Sequence, residues 1–205
     1  MPCSSRLTAP AQSSPWAGQV LVSSQLFDRL MSQVATVHAA GLKSFGLLVA
    51  DPAAPHFPYC ATEAVVFDPR KNRRNDPAIR AAFEAQGQYF RSFDDAGFVA
   101  DPAEVLQAHR RLEACGLEPV AMFHTHRRHP ANFSHIDYRL HNPAYRWHLI
   151  ISLRDAYRPA LGAFDIRKDF DDFGIDASDV NESSERAYVG PEVTALSIHA
   201  APSAA

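Results

Sequence analysis

The sequence predicts one α+β domain: a curved mixed β-sheet flanked by helices. Three observations carry this. Short apolar runs of strand length recur along the chain, at Phe45 to Ala50, Val120 to His124, His148 to Leu153 and Leu161 to Ile166. Amphipathic helical segments stand between and before them, with no internal repeat. A length of 205 residues with 46% hydrophobic side chains suits a single domain with a sizeable core.

The elements follow in order. Val20 to Val22 is a short strand. Ser24 to His38 has Leu26, Phe27, Leu30, Met31, Val34 and Val37 at helical spacing, with Ser24 as N-cap and Gly41 as the stop. Phe45 to Ala50 and Thr62 to Phe67 are strands. Pro77 to Phe93 shows helical spacing at Ile79, Phe83, Tyr89 and Phe90, interrupted by Gly87. Asp101-Pro102 opens a helix through Ala114, with proline at the first helical position and Gly116 beyond the end. The first eighteen residues are rich in Ser, Pro and Ala and read as a disordered arm. The stretch 191–205 reads as a flexible tail, which leaves a domain over 19–190.

Composition excludes several function classes. A net charge of −3 argues against a nucleic-acid partner. No apolar run approaches the length of a membrane span, and the opening lacks the apolar core of a signal peptide. Cys3, Cys60 and Cys115 are scattered and odd in number, which disfavours a disulfide framework and fits a reducing, cytoplasmic setting. The oligomeric state is not legible.

The chemistry concentrates in one stretch. His124 and His126 are separated by one residue, so on a strand both imidazoles leave the same face. Seven residues later comes Ser134-His-Ile-Asp137. Ser134 is a good N-cap of a short helix to His141, and Asp137 lies in its first turn, as in a capping box. Two neutral imidazoles and one carboxylate leave a tetrahedral Zn²⁺ with an open position, the arrangement of a catalytic site. The plainer reading is two strand histidines beside an ordinary helix cap.

This HxHx7SxxD pattern resembles the signature of the JAMM (MPN or Mov34-type) metalloprotease family. The likeness extends from about Leu21 to Arg167 and includes Gly46-Leu-Leu-Val49 and Trp147-His-Leu-Ile-Ile-Ser152. It implies a JAMM/MPN-like, cytidine-deaminase-like domain, with zinc held by His124, His126 and Asp137, and Ser134 helping to stabilise the oxyanion. The bacterial members most like it cleave the C-terminal tail of ubiquitin-like sulfur-carrier proteins. A small-molecule amide is the other substrate considered.

One departure stands out. The family's catalytic glutamate stands three residues before the glycine of the GLL-like strand, and here that position is Lys43. An ammonium accepts no proton and is repelled by a metal. Glu63, on a strand expected to pair near Gly46 to Val49, is the substitute base considered. Its alternative is a solvated edge-strand glutamate.

Two further segments keep two readings each. The interval 68–99 carries a basic cluster, Arg70 to Arg74, and the aromatics Phe83, Tyr89, Phe90 and Phe93. It is either a lid or partner surface, or an insertion packed on the domain. Arg127 and Arg128 are either solvated loop charges or receivers of a substrate carboxylate, and His129 is a candidate proton shuttle. The whole chain is accordingly expected to be a zinc hydrolase of a peptide or isopeptide-type amide, with a zinc-binding, non-peptidase partner module as the alternative.

Overall fold

A computed structural model describes residues 18–85, 87–93, 95–169 and 187–201. The expected N-terminal arm lies outside these residues, apart from Gly18. Strand β1 (Gln19–Ser23) runs directly into helix α1 (Ser24–Ala39). The cap is Ser23, one residue earlier than expected, its hydroxyl oxygen accepting from the Leu26 N–H. Leu26, Leu30 and Val34 form the buried stripe of α1. Gly41, at φ +76°, turns the chain out of the helix towards β2 (Phe45–Ala50).

After β2 come β3 (Cys60–Ala61), β4 (Glu63–Val66), α2 (Pro77–Ala85), α3 (Gln88–Ser92) and α4 (Pro102–Ala114). The chain continues through β5 (Glu118–His126), α5 (His135–Leu140), β6 (Trp147–Ser152), β7 (Ala160–Ile166) and β8 (Val193–Ala201). The eight strands form a mixed sheet in the order β3-β1-β8-β7-β6-β5-β2-β4. β5 and β6 run parallel, and β2 pairs antiparallel with β5 and β4. The two edge strands, β3 and β4, are separated in sequence by Thr62 alone, whose N–H donates to the Val49 carbonyl. The sheet therefore has to curve until its edges approach.

Curvature gives two faces with different tasks. Inside, α1 packs on Leu48, Ala121, Phe123, Leu149 and Ile151 to form the main core. The buried leucine, isoleucine and phenylalanine side chains each contribute about 1.5–3 kcal/mol. Outside, Phe45, Leu47 and Phe67 pack with Ala108 of α4. Side chains alternate along β5, so Met122, His124 and His126 share this outer face. At Gly46 a Cβ would strike the Val65 carbonyl, so β2 accepts only glycine where it crosses β4.

One expectation needs correction, and one open reading is decided. Val193–Ala201, within the expected 191–205 tail, is a strand: β8 lies inside the sheet, parallel to β1 and antiparallel to β7. Its outward residues are polar or small and only Leu196 is buried, so the sequence carries little apolar signal. The domain consequently extends to Ala201. The interval 68–99 is packed: Phe83, Phe90 and Ala96 form a cluster with Ile136 of α5. Buried Arg74 organises it, donating to the carbonyls of Ala96 (2.7 Å) and Phe90 (3.1 Å) and lying over the Phe83 ring. No helix among the described residues is long and apolar enough to cross a membrane.

Candidate metal centre

β5 is a core strand whose last turns of pleat carry His124 and His126 to the outer face, opposite Phe45 of β2 and Ile150 of β6. The chain then doubles back. The Pro130 carbonyl accepts from His126 Nδ1 at 2.7 Å, and the His129 carbonyl accepts from the Ser152 hydroxyl at 2.6 Å. The loop crosses β7 at Gly162, where a Cβ would strike the Ala131 carbonyl. Phe133 then buries its ring against Ile150 and Ile166, which brings Ser134 and α5 over the histidines.

The cap of α5 is a complete capping box with aspartate in place of glutamate. Asp137 Oδ2 accepts from the Ser134 N–H (2.9 Å) and hydroxyl (2.6 Å), and the Ser134 oxygen accepts from the Asp137 N–H (3.2 Å). The other end of α5 is fixed by Lys168, whose ammonium donates to the carbonyls of Tyr138, Arg139 and His141.

The result is a buried His124–His126–Asp137 cluster whose ligand atoms lie within 4.8 Å of one another. His124 Nε2 is 2.9 Å from His126 Nε2 and 3.1 Å from Asp137 Oδ1. His126 Nε2 is 3.6 Å from Asp137 Oδ2. Burial pulls the His124 pKa down to about 4, so this imidazole is neutral at pH 7. Burial opposes the Asp137 charge, but the two histidines outweigh it and hold the carboxyl well below the usual carboxylate range. A neutral His124 imidazole and an ionised Asp137 carboxylate are protonation states that metal ligation needs. The His126 hydrogen is spent on Pro130, so its Nε2 lone pair points inwards. The donor set fits a divalent metal.

The remaining site residues divide. Lys43 lines the same pocket as the three ligands, together with Asp95, Phe98, Arg127, Arg128 and His129. Its ammonium lies 6.0 Å from the centre of the Phe98 ring. Burial lowers its pKa, and the charges of Asp137 and Asp95 oppose that shift. Lys43 therefore shares the pocket of the three ligands. Arg127 and Arg128 both bind Asp95, at 3.5 Å and at 2.9 and 3.0 Å. His129 Nε2 is 3.3 Å from the Tyr89 hydroxyl.

Two predicted roles are not supported by the geometry. Glu63 is exposed and borders a shallow surface pocket with Arg29 and Gln33 of α1. It pairs with Val49, four residues along β2 from the Phe45 that faces His124, or about 14 Å down the strand. Glu63 is thus a solvated edge-strand acid and cannot serve as base. The Ser134 hydroxyl is buried and gives its hydrogen to Asp137, so it positions a ligand and does not reach into the pocket as an oxyanion donor.

Sequence reading gave no role at the site to Asp95, His141 or His148. Asp95 comes from the insertion, and only folding brings it to the site. His148 Nε2 is 2.7 Å from His124 Nδ1, and His148 Nδ1 is 3.1 Å from His141 Nδ1. The available signal was a histidine inside the otherwise apolar run Trp147–Ser152, every residue of which is buried.

Comparison with known proteins agrees with this architecture. The family model of prokaryotic homologs of the JAB domain matches residues 53–164, more than half of the chain. No curated protein is similar enough to match. A Desulfitobacterium hafniense protein solved in solution is 19% identical, with a TM-score of 0.56, over 90% of this chain and 94% of that one. A Salinibacter ruber protein is 18% identical over 85% and 99% of the two chains, with a TM-score of 0.46. A JAB1/MPN domain protein from Archaeoglobus fulgidus is 12% identical over 71% and 89%, with a TM-score of 0.38.

Proposed function

We propose that this chain, which belongs to the family of prokaryotic JAB-domain homologs, is a JAMM-like zinc hydrolase of a peptide or isopeptide-type amide bond. The observation that carries the reading is the complete, buried His124–His126–Asp137 set, which lines a pocket. Bound there, zinc would supply Lewis-acid chemistry, polarising a scissile carbonyl and lowering the pKa of a water.

The chain's own residues do the rest. Ser134 fixes the Asp137 carboxylate, and the loop carbonyl of Pro130 fixes His126. Arg127 and Arg128 receive a substrate carboxylate, for which a bidentate fork is suited. Asp95 holds those arginines in the free protein and is released when the carboxylate arrives. It is then the acid of the pocket able to accept a proton from the attacking water, while His129, on the pocket wall, passes that proton to the leaving amine nitrogen as the C–N bond breaks. A flexible C-terminus, such as that of a ubiquitin-like sulfur carrier, or a small amide bearing a carboxylate matches this pocket.

Lys43 supports a second reading: a zinc-binding, non-peptidase module that holds a partner's acidic terminus. An ammonium in the pocket of the three ligands cannot do the work of a glutamate there. Turnover of a sulfur-carrier fusion and of dipeptides by the zinc-loaded protein separates the two. In the hydrolase, Asp95→Asn lowers kcat by at least ~10²-fold with zinc retained. Undiminished turnover in Asp95→Asn removes Asp95 as base. A zinc-loaded wild type that turns over none of these substrates assigns the module.

A further inference from the structure

We infer that His148 and His141 are positioning residues: through a one-way chain of hydrogen bonds anchored on the Tyr145 carbonyl, they aim the His124 Nε2 lone pair at the metal position. The inference deepens the metal reading of the His124–His126–Asp137 cluster and rests on it.

The direction follows from one atom that has no hydrogen to give. The Tyr145 carbonyl oxygen lies 2.9 Å from His141 Nε2, so that nitrogen carries the hydrogen. A neutral imidazole has one N–H, which leaves a lone pair on His141 Nδ1. The 3.1 Å contact to His148 Nδ1 must then use the His148 hydrogen. This in turn leaves His148 Nε2 as an acceptor. At 2.7 Å from it, His124 Nδ1 supplies the hydrogen of the third bond. His124 Nε2 is therefore bare. It faces the Nε2 of His126, bare for the same reason because His126 Nδ1 donates to Pro130. Two lone pairs 2.9 Å apart beside a carboxylate form a donor set that a bound cation satisfies.

The chain is built into the core. His124, His141 and His148 are all buried, and the Phe133 ring covers both His148 (5.4 Å) and His141 (6.2 Å) edge-on. Lys168 holds the His141 carbonyl at 3.1 Å and fixes the start of the turn that returns through Tyr145. A ligating histidine commonly gives its second N–H to a carbonyl or carboxylate, which sets its tautomer and orientation. His126 does this directly. His124 does it across two further imidazoles, and so couples the metal position to β6 and to the 142–145 turn.

The wild-type protein, labelled with ¹⁵N-histidine, tests the order directly. Long-range ¹H–¹⁵N spectra, recorded with and without Zn²⁺, are expected to show His148 as the Nδ1–H tautomer and His141 as the Nε2–H tautomer. The opposite tautomer at either residue overturns the inference. Affinity for Zn²⁺, measured by chelator competition, supplies the second readout. His148→Leu is expected to bind about 10- to 100-fold more weakly. His148→Gln, whose amide can accept from His124 and donate to His141, is expected to recover most of that loss. A folded His148→Leu with wild-type affinity, or equal losses in Leu and Gln, overturns the inference. If His148→Leu does not fold, the tautomers of the wild type still decide. A wild type that takes up no Zn²⁺ fails differently, since it overturns the metal reading itself.

Discussion

At the scale of single residues, Lys43 carries the most information. It stands just before β2 and lines the same pocket as His124, His126 and Asp137. Lys43→Glu is expected to raise amide hydrolysis ~10²–10⁴-fold, the usual worth of a well-placed general base. Steady-state kinetics on the folded, zinc-loaded variant check this, and no gain means that the base comes from elsewhere in the pocket. His126 makes the complementary case. Its Nε2 is one of three converging donors, so His126→Ala should leave two ligands and no stable site. Elemental analysis is expected to give about one zinc per wild-type chain and almost none in the variant.

At the scale of elements, β8 is the piece whose role differs most from its sequence. It pairs with β1 over five residues on one side and with β7 over four on the other. Without it, β1 and β3 lose the ladder that joins them to β7, and two strand edges are left open. Deleting 193–205 is therefore expected to abolish cooperative thermal unfolding. A truncated chain that melts at the wild-type temperature would reduce β8 to an ornament. The insertion matters in the opposite way. Its aromatic cluster, pinned by Arg74, packs on Ile136 of the metal helix and brings Asp95 and Phe98 to the pocket wall.

For the whole molecule, the buried histidines set a pH dependence. His124 and His141 each have a folded pKa of about 4, both lowered chiefly by burial. An unfolded histidine titrates near 6.5. Between these values the unfolded chain binds protons that the folded one refuses, so stability is full above pH 6.5 and is lost as pH falls towards 4. Each group is worth about 3 kcal/mol across that window. The metal-free protein should show a Tm that drops steadily from pH 7 to pH 4.5. A flat profile over that range would mean that the two imidazoles are hydrated or already charged in the fold.

The sequence by itself determined the elements that depend on local rules, and with them the ligand set. Strand period two puts His124 and His126 on one face, and a capping box places Asp137 in the first turn of its helix; both are settled within a dozen residues. The runs Phe45–Ala50 and Pro102–Ala114 were legible for the same reason, since apolar spacing and a proline start are local signals. Only the tertiary structure decided what depends on register and on distant pairing. Glu63 pairs with the far end of β2, a matter of a few residues along a ladder that no spacing reveals. β8 is held by neighbours on both sides and not by its own apolar content. Asp95 reaches the pocket because the insertion folds onto α5, and His141 meets His148 because a helix end and a strand are packed together under Phe133. Local chemistry writes the ligands into the chain, whereas the groups that orient them and share their pocket come from segments that meet only when the sheet has closed.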